Sequence, residues 1–176
     1  KCGLVILACN TASARALREL QKNFPKRKIL GVLIPAAEEA AKFERIGVIG
    51  TAGTVASSSF PKEIKKINKN AKVFQNSAPM LVPLAEAGES KLAEPFIKKY
   101  LAPFDFTQGK PIDALVLGCT HYPIFKKEIR QALRKVSPCA KIISQDEIVP
   151  KKLKNYLARH QEIEKKLSKN HSAKIL

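Results

Sequence analysis

The segment that decides the fold is residues 114–123, with the sequence ALVLGCTHYP. Its apolar start is followed by a short turn that carries Cys119 and His121, and Pro123 fits the first turn of a following helix. A short, fully apolar run next to a helical pattern is typical of a buried strand in a parallel sheet. The segment therefore predicts a strand, a cysteine-bearing turn and a helix, in that order.

The same pattern occurs a second time near the start of the chain. Residues 4–11 read LVILACNT, and they can be laid on residues 114–121, which read ALVLGCTH. In each copy an apolar run is followed by a small residue, a cysteine and two polar residues. A single cysteine at a strand end is most often a small buried hydrophobe. Two cysteines in matched contexts, Cys9 and Cys119, indicate that the chain contains the same functional motif twice.

Apolar runs and helical patterns alternate along the whole chain. We expect strands at residues 4–8, 29–34, 46–49, 72–75, 114–117 and 141–144, and helices at residues 12–21, 35–43, 58–68, 92–101, 123–136 and 147–167. Pro150 is expected to kink or interrupt the last helix. This alternation predicts an α/β protein with parallel sheets and flanking helices.

The composition argues against several classes of protein. Apolar residues make up 45% of the chain and charged residues 27%, which is enough for a globular core and unlike a disordered chain. No apolar run reaches the roughly 18–20 residues of a membrane span, so no membrane partner is expected. The four cysteines form no C-x-x-C pair and have no histidine cluster beside them, so no metal is expected. No secretion signal is visible, and we expect reduced thiols in a cytoplasm.

The net charge of the chain is +17, with much of the excess in residues 62–72 and from Lys151 onward. We interpret these charges as the solvated faces of amphipathic helices, which would also attract acidic small molecules. Affinity for nucleic acid is the alternative. Against it, aromatic residues are not regularly interleaved with the basic ones, no nucleic-acid motif is recognised, and the chain has no tryptophan.

The position of each cysteine favours reactive chemistry. Unpaired N–H groups and the positive end of the helix dipole meet where a strand ends and a helix begins, and both favour a thiolate or a bound carboxylate. Asn10, Thr11 and Thr120 add short hydrogen-bonding side chains. Two such thiols suit the inversion of a carbon centre without a cofactor, with a base on one face and an acid on the other. Nucleophilic catalysis is the competing chemistry, but it needs one cysteine and a base.

Four stretches of the chain resemble motifs of the glutamate racemase family. Residues 8–13 (ACNTAS) and 118–123 (GCTHYP) are similar to the family's two cysteine motifs. Residues 46–54 (IGVIGTAGT) resemble its Gly-Thr-x-x-Thr stretch, and residues 82–86 (VPLAE) resemble another family segment. The order and spacing of these motifs agree across nearly the whole chain, and the second cysteine motif is the most specific of them.

The resemblance implies a role for eight residues. Cys9 and Cys119 would be the two acid/base catalysts, and His121 would tune the proton affinity of Cys119. The residues that would contact the substrate or line its pocket are Asn10, Thr11, Thr54, Thr120 and Glu86. Judged by residue type alone, His121 would be a structural or capping residue, Thr54 a helix N-cap and Glu86 a solvated helix residue.

The family's fold implies two pseudo-symmetric α/β units with the site between them. The second unit would comprise residues 44–144. The first would comprise residues 1–43, with residues 145–176 packing back on it. Family members carry an Asp-Ser motif near their start and a Pro-Tyr-Gly-Ser motif further on, and neither occurs in this sequence. We therefore expect the first unit to be incomplete.

The function implied by the resemblance is interconversion of L- and D-glutamate for peptidoglycan synthesis, with no cofactor and with a possible homodimer. A racemase for aspartate or another amino acid is one alternative. The other is an inactive fragment or binding module whose basic surface has affinity for nucleic acid.

Overall fold

The computed structural model describes residues 2–105 and 109–167. The strands of this part of the chain are β1 (Val5–Leu7), β2 (Ile29–Gly31), β3 (Arg45–Gly50), β4 (Lys72–Ser77), β5 (Ala114–Gly118) and β6 (Lys141–Ile143). Its α-helices are α1 (Asn10–Asn23), α2 (Leu33–Ala40), α3 (Ala52–Ser57), α4 (Ser59–Ile67), α5 (Leu81–Glu86), α6 (Ala93–Leu101), α7 (Lys126–Val136), α8 (Gln145–Arg159) and α9 (Gln161–Glu164). A 3-10 helix, Tyr122–Phe125, precedes α7.

The described strands form two sheets, and every pairing in them is parallel. One sheet consists of β1 and β2, and the other has the strand order β4-β3-β5-β6. Helices lie between the strands along the chain, as parallel connections require. The prediction of an α/β fold with parallel sheets and flanking helices is confirmed.

The core lies on both faces of the four-stranded sheet, whose central strands β3 and β5 are buried throughout. Side chains of a strand alternate between its two faces. Leu115 and Leu117 therefore pack with α6 and α7 on one face. Ala114 and Val116 pack with α2 and α4 on the other face. This two-sided burial explains why the strand is apolar at every position.

The carboxyl ends of the parallel strands lie at one edge of the four-stranded sheet, where such folds bind ligands. Thr51 follows β3 and Cys119 follows β5 at this edge, and Ser144 follows β6. The N–H group of Ala78, just after β4, donates to the carbonyl of Gly50 at 2.8 Å. The fold thus places residues from distant parts of the sequence at one edge.

Several expected boundaries differ from the structure, and the largest differences are at β2 and α8. Strand β2 ends at Gly31, and Pro35 lies in the first turn of α2, where a missing N–H costs no helical hydrogen bond. Helix α8 begins at Gln145 and continues past Pro150 to Arg159, and the interruption lies at His160. The short helices α3 and α5 are not predicted from the sequence.

The start of the last helical region packs on the earlier part of the chain. Helix α8 contacts α2, and Lys152 forms an ion pair of 2.8 Å with Glu38. Ile148 packs against the core cluster that contains α2. Residue 1 and residues 168–176 lie outside the described residues, and the division into units 1–43 with 145–176 and 44–144 stays a prediction. Within the described ranges, no helix combines the length and apolar character of a membrane span.

Candidate active site

Cys9 lies between β1 and α1, in extended backbone conformation, as the N-cap residue of α1. Its carbonyl accepts a hydrogen bond of 2.8 Å from the N–H of Ser13, and the Ser13 hydroxyl donates to the carbonyl of Leu7 at 3.0 Å. The first turn of α1 is thereby tied to the end of β1. The Cys9 thiol is exposed at the N-terminus of a 14-residue helix, as the sequence pattern predicts.

Cys119 follows β5 directly and is only 6% exposed. The residue before it must be glycine, because a Cβ atom at Gly118 would lie 2.7 Å from the carbonyl oxygen of Ile49. The turn after Cys119 is held by Tyr122, whose buried hydroxyl donates to the carbonyl of Ala78 at 2.8 Å. Close packing of β5 on β3 and this buried hydrogen bond fix the position of the thiol.

The electrostatic environment of Cys119 combines opposing effects. Burial raises the pKa of the Cys119 thiol, and the charge of Cys9 raises the same pKa further. Backbone N–H groups of His121, Tyr122 and Thr120 act in the opposite direction, because their hydrogen bonds favour the thiolate. Geometry places the two motifs beside each other. The hydroxyl of Thr11, two residues after Cys9, lies 2.8 Å from that of Thr51, and Thr51 follows Gly50, the register partner of Gly118.

His121 links Cys119 to a carboxylate from another helix. Its Nδ1 atom lies 3.7 Å from the Cys119 sulfur, and its Nε2 atom lies 2.5 Å from Oε1 of Glu86. Glu86 is the last residue of α5, and its side chain is 67% exposed, compared with 34% for His121. A carboxylate on one ring nitrogen fixes the tautomer and orientation of an imidazole. The predicted residues Cys119, His121 and Glu86 thus form one connected row.

Three threonine hydroxyls meet beside the first cysteine motif. Oγ1 of Thr11 lies 2.8 Å from Oγ1 of Thr51 and 3.1 Å from that of Thr54, and the last two are 3.0 Å apart. Thr51 is the N-cap residue of α3, since its hydroxyl accepts from the N–H of Thr54 at 3.2 Å. This corrects the expectation by residue type that Thr54 would be the cap. Thr51, for which the sequence predicts no role, contacts the two predicted residues Thr11 and Thr54.

The side chain of Asn10 is buried, with 2% exposure, and is paired with Gln145. Nδ2 of Asn10 donates to Oε1 of Gln145 at 2.7 Å, and Nε2 of Gln145 donates to Oδ1 of Asn10 at 2.6 Å. Gln145 also donates to the carbonyl of Val32 at 3.2 Å. Thr120, in contrast, is exposed beside Cys119. Nothing in the local sequence marks Gln145 as a partner of the first cysteine motif.

Comparison with known proteins shows the family of the chain. Residues 1–145 match the family model described as Asp/Glu/Hydantoin racemase. A curated protein named glutamate racemase, from Aquifex aeolicus, is 39% identical over 159 residues, which cover 88% of this chain and 58% of that protein.

Solved structures of similar proteins have the same architecture. A glutamate racemase isoform from Bacillus anthracis matches with a TM-score of 0.79 and 31% identity, over 92% of this chain and 59% of that one. The Francisella tularensis glutamate racemase in complex with D-glutamate matches with a TM-score of 0.78 and 30% identity, over 90% of this chain and 58% of that one. The chain thus spans about 58% of the length of its relatives. Because the family model covers most of the sequence, the chain belongs to the Asp/Glu/Hydantoin racemase family.

Proposed function

We propose that this protein interconverts L- and D-glutamate without a cofactor, using Cys9 and Cys119 as two bases on opposite faces of the substrate. The observation that carries the proposal is the mutual placement of the thiols. Each cysteine lies where a parallel strand ends and a helical segment begins, and Thr11 of the first motif contacts Thr51, which lies beside the end of β5. Two thiols held in neighbouring motifs in this way suit inversion at one carbon atom, which needs a base on one face and an acid on the other.

The proposed reaction has two proton transfers. The thiolate of one cysteine takes the α-proton of glutamate, and the electron pair stays on the α-carbon. The thiol of the other cysteine then donates its proton to the opposite face, which inverts the centre. The first cysteine is now the thiol and the second is the thiolate. The reverse reaction uses the same steps with the two cysteines in exchanged roles.

The charge that develops on the substrate needs hydrogen-bond donors, since acid–base catalysis alone contributes roughly 10²–10⁴-fold. The backbone N–H groups of His121, Tyr122 and Thr120 lower the pKa of Cys119, so they stabilise the negative charge on its sulfur once the thiol has given up its proton. Donors held in place before the reaction stabilise developing negative charge without reorganisation. Burial and the charge of Cys9 raise the pKa of Cys119, which favours the protonated thiol that the second proton transfer needs.

Six side chains are proposed to support these steps. His121 forms a hydrogen bond with the sulfur of Cys119, and Glu86 orients His121. The hydroxyls of Thr11 and Thr54, together with the exposed Thr120, are proposed to hold the substrate's carboxylate and amino groups. One amide N–H of Asn10 donates to Gln145, and the second N–H is proposed to donate to the substrate.

The choice of glutamate as substrate is supported by the relatives, one of which is described in complex with D-glutamate. The net charge of +17 would attract a dicarboxylate. We further propose that the D-glutamate is used for peptidoglycan synthesis in the cytoplasm and that the protein acts as a homodimer.

The proposal is tested by α-proton exchange in D₂O, followed by NMR. The samples are this chain and a chimaera in which the N-terminal segment of the Aquifex aeolicus relative precedes it. Each is given L-glutamate, D-glutamate and L-aspartate, and Cys139→Ser serves as a control because Cys139 lies in an exposed turn. We expect exchange and inversion of both glutamate enantiomers, unchanged in the control. Exchange of aspartate alone would assign a sibling substrate, and no exchange in either sample would contradict the proposal.

A further inference from the structure

Residues 144–147, at the start of α8, contact the first cysteine motif and the helix that follows the second one. Gln145 forms the reciprocal pair of hydrogen bonds with Asn10, the residue next to Cys9. Its own side chain is buried, with 4% exposure, and a third hydrogen bond to the carbonyl of Val32 holds it. Every hydrogen bond of this side chain is therefore directed at the first cysteine motif or at the turn before α2.

The next two residues of the same segment contact the helix that follows the second cysteine. Nζ of Lys126, the first residue of α7, lies 3.4 Å from Oδ2 of Asp146 and also pairs with Glu147. The hydroxyl of Ser144, which is buried, donates to Asp146. Four consecutive residues thus connect the structure around Cys9 with the structure around Cys119.

We propose that Gln145 is a positioning residue for Cys9. It holds Asn10 in place, and through the start of α8 it sets the position of the first thiol relative to the second. The inference rests on the proposed two-base function, because only a reaction that uses both thiols on one carbon atom makes their separation critical. A misplacement of about 1 Å can cost on the order of 10²-fold in rate.

The physical basis is the burial of both amides. Removing Gln145 leaves Nδ2 and Oδ1 of Asn10 without their partner in a site that excludes water, and buried polar groups without partners are strongly unfavourable. The backbone of the first turn of α1 will then shift to bring Asn10 to water. Cys9 is the adjacent residue and moves with it.

Two variants separate positioning from general stability. Gln145→Ala removes the amide, and Gln145→Glu keeps its shape but cannot donate to Asn10 or to the carbonyl of Val32 at neutral pH. The matched control is Asn68→Ala. Asn68 also bridges chain segments through its amide, which donates to the carbonyls of Ala41 and Phe43 at 3.1 and 3.3 Å, but it is remote from both cysteine motifs.

The decisive readout is α-proton exchange without inversion, measured for each enantiomer in the 176-residue chain and in the chimaera. The two enantiomers have equal free energy, so any variant must lower kcat/KM for racemisation equally in both directions. The rate at which deuterium enters substrate of unchanged configuration does not have to be equal for the two enantiomers. We expect both Gln145 variants to lower exchange of the enantiomer that depends on Cys9 by roughly 10–100-fold, and the other enantiomer by much less. Asn68→Ala should leave the ratio of the two unchanged.

Amide hydrogen exchange gives an independent readout that needs no activity. In Gln145→Ala, the N–H groups in the first turn of α1 should exchange on the order of tenfold faster, while those of α4 keep the rates of the parent. An equal loss of exchange for both enantiomers, or unchanged amide exchange in α1, would overturn the inference. If the parent exchanges neither enantiomer, the proposed function fails. Amide exchange in α1 then decides alone whether Gln145 anchors the first motif.

Discussion

The Nδ1 atom of His121 lies 3.7 Å from the sulfur of Cys119, while the opposite ring nitrogen meets Glu86 at 2.5 Å. The imidazole therefore stands between a buried thiol and an exposed carboxylate. A histidine held in this way keeps a fixed orientation toward the thiol, and its carboxylate partner strengthens its hydrogen bond to the sulfur. Cys9 has no such partner among the described hydrogen bonds, so the two proposed bases are supported differently.

This difference predicts the effect of changing His121. His121→Asn should lower kcat for glutamate by about 10²-fold with a smaller change in KM, because it acts on proton transfer at Cys119. Glu86→Gln should have a weaker effect, since its carboxylate is mostly exposed and acts through the imidazole. Steady-state kinetics with both enantiomers measure these effects. A change in KM alone for His121→Asn would assign the histidine to substrate binding.

The raised pKa of Cys119 predicts a pH dependence of stability. Burial is the main cause of the shift from the ordinary value of 9.0. The folded protein keeps this proton after the unfolded chain has lost it, so the thiol's contribution to stability is full below about pH 9 and declines as pH rises through the folded pKa. When denaturant unfolding is measured at a series of pH values, the free energy of unfolding of Cys119→Ala should fall less steeply above pH 9 than that of the parent.

The control for this measurement is Cys139→Ala, which changes an exposed thiol and should follow the parent curve. If the free energy of unfolding falls with pH equally steeply in the parent and in Cys119→Ala, folding does not change the pKa of the buried thiol, which would contradict the prediction.

The close approach at Gly118 predicts a large cost for one methyl group. In Gly118→Ala the new Cβ would meet the Ile49 carbonyl at 2.7 Å, and a backbone atom cannot move aside cheaply. We expect a loss of about 1–3 kcal/mol in the free energy of unfolding. Activity should also fall, because Cys119 is the next residue. Thermal or urea unfolding measures the loss.

The matched control is Gly3→Ala, where the nearest atom to an added Cβ is 3.4 Å away and belongs to a flexible leucine side chain. This variant should unfold like the parent. The corresponding position in the first cysteine motif is Ala8, so equal stability of Gly118→Ala and the parent would mean that the two motifs have the same steric limits.

The strand, turn and helix around each cysteine could be predicted because their signals are local. An apolar run, a polar turn and a proline in the first helical turn all lie within ten residues of Cys119. The prediction of β2 was too long for a related reason. Residues 32–34 continue its apolar run, but they form the start of α2, and apolar character alone does not separate a buried strand from a buried helix.

The contacts that organise the site depend on tertiary structure and leave little trace in the sequence. Asn10 and Gln145 are 135 positions apart, and neither shows in its own neighbourhood that the other is its partner. The resemblance to known motifs singles out Glu86, but only the fold brings it to His121. Thr51 shows the intermediate case, since the Thr-x-x-Thr spacing is visible but its capping role needs the structure.

Enantiomer-specific exchange in Cys9→Ser and Cys119→Ser shows whether the two thiols serve opposite faces of one carbon atom. Racemisation should be lost in both variants, because each step of inversion needs one of the thiols. In D₂O, each variant should still exchange the α-proton of one glutamate enantiomer, and the retained enantiomer should differ between the two. Loss of exchange for the same enantiomer in both variants, or retention of both enantiomers in either, would contradict the two-base account.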